Sequence, residues 1–238
     1  GIGLLLSNSF ISGGLYNAGY MNDVSISGST AVGLVFNTTS GTVGGYFASN
    51  SLISGDVSNS GLITNGILIR QSTISGNFVQ NAALGTQTTH ARSGLIFDRS
   101  NVTGSIINSG TVSTPQGYFG TGIALYGSTV GGSVVNTGQL DAFYGRGISI
   151  GGTYIAGGLT NTGSVFSSEL TVQISGSTIS SGIYNTGHIN SGFLIQSASH
   201  ISNGLVNTGY IGNYGPLTLR NSTINGGVFN ALSGTIAG

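Results

Sequence analysis

An asparagine returns ten times along the chain in the same local context, at Asn17, Asn37, Asn59, Asn81, Asn108, Asn136, Asn161, Asn185, Asn207 and Asn230. The successive intervals are 20, 22, 22, 27, 28, 25, 24, 22 and 23 residues. A period of this size marks a repeat architecture, in which each copy is one small unit that cannot bury its apolar side alone. The question of function then moves to the outer faces and the two ends of whatever the copies stack into.

Aligned on the asparagines, the copies share an apolar-x-apolar-x-x-Ser-Thr-apolar-x-Gly-x-apolar-x-Asn-Thr-Gly-x-apolar pattern, carried most fully by Val172 to Ile189 and again by Leu217 to Asn230. Apolar residues sit at even separations, as at Val172 and Ile174 or Ile179 and Ile183, which is the strand period. The runs last three to five residues before Gly, Asn or Ser interrupts them, too short for a sandwich and without helical spacing. Each copy is therefore expected to supply about three short strands. The fold expected is all-β: a parallel β-helix, or β-solenoid, of about ten coils of 20–28 residues, right-handed and roughly triangular, forming one unit over residues 1–238.

The asparagine follows an inward apolar position by six residues in nine of the ten copies, which places it on the inward phase. Stacked there, the ten asparagines form a structural ladder, passing amide hydrogen bonds from coil to coil. The glycine two residues later (for example Gly138, Gly163 and Gly187) is expected to supply a positive φ at the corner. Longer turns are expected at Asn37 to Gly41, Asn81 to Gly85 and Asn230 to Gly234. A serine recurs at Ser9, Ser29, Ser51, Ser72, Ser100, Ser128, Ser177, Ser199 and Ser222. A nucleophile would not recur nine times, so this reads as a second ladder at a corner.

Composition narrows the function. Charged residues make up 4% of the chain, against about 25% in an ordinary globular protein. The net charge is zero, with five arginines and no lysine. Nucleic-acid binding needs clustered basic side chains and is excluded, as is a polybasic membrane patch. No apolar run approaches the roughly 18–20 residues of a transmembrane helix. Cysteine is absent, so neither disulfides nor thiolate metal sites hold the fold.

Copies such as Ser128 to Leu140 and Ser177 to Ile189 resemble the strand repeats in passenger domains of bacterial autotransporters and related surface adhesins. The likeness covers essentially the whole chain, and its motif specifies a coil rather than an activity. It implies an exported, cysteine-poor right-handed β-helix at the bacterial cell surface, with roles in adhesion or aggregation. Nothing here matches a translocating barrel, an autochaperone segment or a protease triad.

Other chemistry is thinly represented. Polysaccharide lyases and hydrolases built on β-helices need two or three carboxylates together. Here Asp23, Asp56, Asp98, Asp141 and Glu169 fall in different coils at different points of the repeat. A carbohydrate-active enzyme would be favoured by clustering of Asp98, Asp141 and Glu169 on one face. Asp98 with Arg99 and Arg70 reads as a surface ion cluster. His90, His188 and His200 have no supporting ligands, so no metal, cofactor or catalytic residue is assigned. Thr30, Thr73, Thr129, Thr178 and Thr223 share an outward slot that raises ice binding, yet Phe10, Leu52, Asn101, Tyr154 and His200 interrupt it.

The outward residue just before the asparagine is more informative. It is Tyr16, Phe36, Ile107, Val135, Tyr184, Val206 and Phe229 in seven copies, with Ser58, Gln80 and Thr160 as exceptions. An exposed apolar stripe of this kind marks an interaction surface. Segments Gln87 to Arg92 and Pro115 to Gly120 are expected to project as loops that could carry a ligand site. The chain begins and stops inside a repeat without a capping segment, which is expected of an excerpt of a longer chain or of a subunit that continues into its own copies. The expected function is a non-enzymatic extracellular stalk, fibre or filament element, associating with itself end to end or side by side. A host or cell-surface glycan or protein is the further partner expected.

Overall fold

A computed structural model describes residues 3–85, 94–114, 120–213 and 215–237. The segments expected as projecting loops lie outside the described residues, apart from Gly120. Among the described residues every regular element is a β-strand, and every strand pair is parallel. The strands stack as a solenoid of about nine turns, close to the expected ten.

Three sheets run along the stack. The second sheet joins ten short strands from Phe10–Ile11 to Thr223–Ile224, and the third joins ten from Leu15–Asn17 to Val228–Asn230. The wide sheet has eighteen. Its early strands are long and continuous, Tyr20–Ser27 and Thr42–Ser49, but farther on the same leg divides in two, as in Thr111–Thr114 and Thr121–Tyr126. Over most of the chain a turn thus carries four strands, one more than its apolar runs suggested, because the longest leg is interrupted partway, as between Gln139–Ala142 and Arg146–Gly151.

Register repeats from turn to turn. In the second sheet Ile74 lies opposite Val102, then Val130, Ile155, Ile179 and Ile201. In the wide sheet Ile69 is followed by Phe97, Leu125, Ile150 and Ile174. These columns face inward and merge into one core from Val24 to Ile211. Fully burying one such side chain stabilises the stack by roughly 1.5–3 kcal/mol. An inward position that fails in one turn therefore leaves a gap against both neighbours.

The left-handed backbone is found at a different corner from the one expected. The residue before each ladder serine has positive φ in every turn: Asn8, Gly28, Asn50, Gln71, Arg99, Gly127, Gly152, Gly176, Ala198 and Asn221, with φ between 46° and 59°. Glycine or asparagine suits that conformation, and seven of the ten are one or the other. The glycine after the ladder asparagine, by contrast, has no positive φ. Except at Gly19 in the first turn, it is required for space. A Cβ on Gly163 would lie 2.0 Å from the carbonyl oxygen of Gly138, and one on Gly187 would lie 2.0 Å from that of Gly163.

The two glycine roles separate experimentally. Gly176→Ala keeps its Cβ 3.5 Å from the nearest atom and loses only the left-handed preference, about 1–2 kcal/mol. Gly163→Ala drives a methyl into backbone and should cost more, about 3 kcal/mol or above. Urea midpoints of the two variants give the comparison. Equal losses would contradict the assignment.

Candidate functional site

The asparagine column lies at the turn where the third sheet ends, and its side chains point inward. From Asn108 onward it is continuous: each amide Nδ2 donates to the Oδ1 of the next asparagine, through Asn136, Asn161, Asn185, Asn207 and Asn230, at 2.7–2.8 Å. From Asn108 to Asn207 the second N–H of each amide donates to the carbonyl of the glycine two residues on, for example Asn161 to Gly163 at 3.2 Å. Both donors are used, and Asn108, Asn136 and Asn207 are fully buried. Asn17, Asn37 and Asn59 form an earlier stretch of the same column.

Asn81 does not belong to it. The rung opposite Asn59 and Asn108 is Gln80, which accepts from Asn59 Nδ2 at 3.0 Å. Asn81 is exposed. The six-residue spacing already pointed there, since six residues after Ile74 is Gln80. The turn that follows is therefore the ordinary short one, and no long turn runs from Asn81 to Gly85. Longer turns do occur after Asn37 and Asn230, whose amides reach the carbonyls of Gly41 and Gly234. Gln80 also interrupts the ladder. Its amide nitrogen turns to the Ala82 carbonyl at 2.9 Å, and Asn108 Oδ1 is left buried with no partner.

The serine column is complete. Each backbone N–H donates to the hydroxyl of the next turn, as from Ser100 to Ser128 at 3.1 Å. The copy that lacked a serine supplies Thr153, which accepts from Ser128 N and passes the chain on to Ser177. Each hydroxyl also donates to a carbonyl two residues back, for example Ser177 to Ser175, except that Ser199 reaches Gln196. From Ser29 to Ser222 each oxygen is thus both donor and acceptor inside the scaffold.

The outward stripe is a single register-matched row on the third sheet. Tyr16 lies opposite Phe36, and Phe36 opposite Ser58. Ile107 faces Val135, which faces Thr160, and Tyr184 faces Val206, which faces Phe229. Because Gln80 is inward, the fourth copy contributes Val79 to the row, opposite Ser58 and Ile107. Exposure is greatest at Tyr16 (67%) and Phe229 (60%), with Tyr184 at 38%. Tyr16 and Phe36 meet edge to face at 6.3 Å.

The acids are not brought together. Asp98 ends the strand Leu95–Asp98 and pairs with Arg70 at 3.0 Å and Arg99 at 3.3 Å. These are surface pairs worth about 0–1 kcal/mol. Asp141 lies on the other half of the same long leg, between Ser113 and Phe166 in register. Burial raises its carboxyl above the ordinary value, and one of its oxygens has no partner. Glu169 is exposed, in the bend after Ser164–Ser167. No group of three metal-ligating side chains occurs among the described residues. His188 stacks on Tyr210 at 4.6 Å, and His200 contacts Asn225; His90 lies outside the described residues. On the second sheet the threonines alternate turn by turn with Phe10, Leu52, Asn101, Tyr154 and His200, so larger side chains are always flanked by small ones.

Comparison with protein-family models, with curated proteins and with solved structures returns no match. Among the described residues no helix is long and apolar enough to cross a membrane, which bears on helices alone and not on barrels.

The break in the ladder gives a direct test of what a rung contributes. Gln80→Asn shortens the side chain so that its amide can reach Asn108 Oδ1 as the other rungs do. The variant should gain about 1 kcal/mol in urea unfolding, because a buried acceptor becomes satisfied. A loss of stability would contradict this account of the break.

Proposed function

We propose that the chain is a non-enzymatic structural solenoid of a bacterial cell surface, exported and extracellular, whose third sheet associates side by side with a second copy. The observation that carries this reading is the outward row from Tyr16 to Phe229. Ten strands at about 4.8 Å spacing make it roughly 43 Å long, with polar residues only at Ser58 and Thr160. Outward aromatic and aliphatic side chains favour strands in any context, but a row this long also offers a second row a matching surface. Zero net charge removes the repulsion that normally keeps copies apart. The separation of Asp98 from Asp141 supports a non-enzymatic role over a carbohydrate-active one, and the resemblance to autotransporter passenger repeats supports the location.

Association should depend on this row alone. In the triple variant Ile107→Thr, Val135→Thr and Tyr184→Thr, each position takes the side chain already carried by Thr160, so strand propensity is kept. Sedimentation should show the average mass of the unaltered chain rising with concentration, while the variant remains monomeric with an unchanged circular dichroism spectrum. A monomeric unaltered chain, or a variant that associates equally, would refute the proposal.

A further inference from the structure

The lumen is not filled evenly along the solenoid. At the fourth and fifth turns Phe78 and Phe97 pack edge to face at 5.1 Å, both fully buried. The positions in register with Phe78 in the preceding turns are Val57 and Val35. Val24 and Val43 line the same stretch of lumen from the wide sheet. Beside these four valines lies a half-open cavity of about 60 Å³. Partly buried Leu4, Leu15 and Met21 form its wall toward the first turn.

Tyr46 also lines this space. It occupies an inward position of the strand Thr42–Ser49, between Val24 and Ile67 in register, and is 5% exposed. Its hydroxyl is fully buried and has no hydrogen-bond partner. The amides of Asn17, Asn37 and Asn59, which also line the cavity, are already committed to the ladder. An unpartnered hydroxyl in an apolar interior is costly, and phenylalanine would fill the same column without that cost. Burial also pushes the phenol upward in pKa, so it stays protonated and is available as a donor.

We propose that the lumen of the first three turns is a binding site for a small uncharged molecule, apolar but for one acceptor oxygen that receives the Tyr46 hydroxyl. Tyr16, Phe36 and Ser58 of the outer row also line it, and binding does not depend on self-association. A water occupies about 10–15 Å³ by the same measure, so the space suits about four waters or one compact organic molecule of five or six heavy atoms. The apolar walls disfavour a water cluster, since each water needs two or more polar partners. A charged ligand would lose its hydration with no compensating group. The class that fits is a small ketone or cyclic ether.

Saturation-transfer NMR on the 238-residue chain, with cyclopentanone and cyclopentane as probes, tests this. Cyclopentanone should bind saturably and more tightly than cyclopentane. Tyr46→Phe should weaken cyclopentanone about 3- to 10-fold, the contribution of one hydrogen bond, and leave cyclopentane unchanged. Val57→Phe, which copies Phe78 of the next turn, should abolish both and leaves Tyr46 intact, so folding of either variant reports independently. No saturable binding to the unaltered chain, or equal cyclopentanone affinity in Tyr46→Phe, would overturn the proposal.

Discussion

Parallel strands joined by backbone hydrogen bonds sit about 4.8 Å apart, and every other feature of this protein answers to that spacing. Because each turn lies directly over the last, a residue type at one position becomes a column. Apolar columns make the core, and polar ones must hydrogen-bond to their own neighbours or remain unpaired. Asparagine meets this demand well, because its two N–H groups and one carbonyl can bond along the column and to the local turn at once. The same spacing leaves no room for a Cβ at Gly163 or Gly187. Stability in such a stack is close to a sum of turns and their contacts, so a defect in one rung acts mainly on the two beside it.

Much of this was legible in the sequence, because a period repeated ten times averages out local noise. The inward phase of the asparagines, the serine ladder and the outward row all follow from spacing alone. What escaped has identifiable causes. Gln80 was hidden by the adjacent Asn81, which drew the alignment onto the commoner residue and shifted the fourth copy by one. Thr153 was missed because its hydroxyl, and not its identity as serine, is what the column needs. The position of the left-handed corner was obscured by residues such as Gln71 and Arg99, which adopt positive φ without advertising it. The division of the wide sheet into two strands falls at breaks such as Thr64 to Gly66 and Phe143 to Gly145, which share no single motif across the turns.

The candidate site was less legible than the fold. Alternation identified the outward row but not how far each side chain stands from solvent, and exposure falls from Tyr16 to the half-covered Ile107. The lumen cavity had no sequence signature, since Val24, Val35 and Val57 each fit the inward pattern. Tyr46 stands at an inward position, and its hydroxyl is significant only because of the space around it. In a solenoid the interior is set by the scaffold, so chemistry is free to vary on the outer rows or where the interior is incomplete.

Side-chain amide ladders bind the turns together beside the backbone hydrogen bonds, and hydrogen exchange at the asparagine side chains, followed by nitrogen-resolved NMR, tests this. The account requires the amide protons of Asn136, Asn161 and Asn185 to be protected on the scale of the backbone amides of the third sheet, while those of exposed Asn81 exchange freely. Equal, fast exchange at Asn81 and Asn161 would mean that the column is spatially stacked yet not bonded, and would contradict the account.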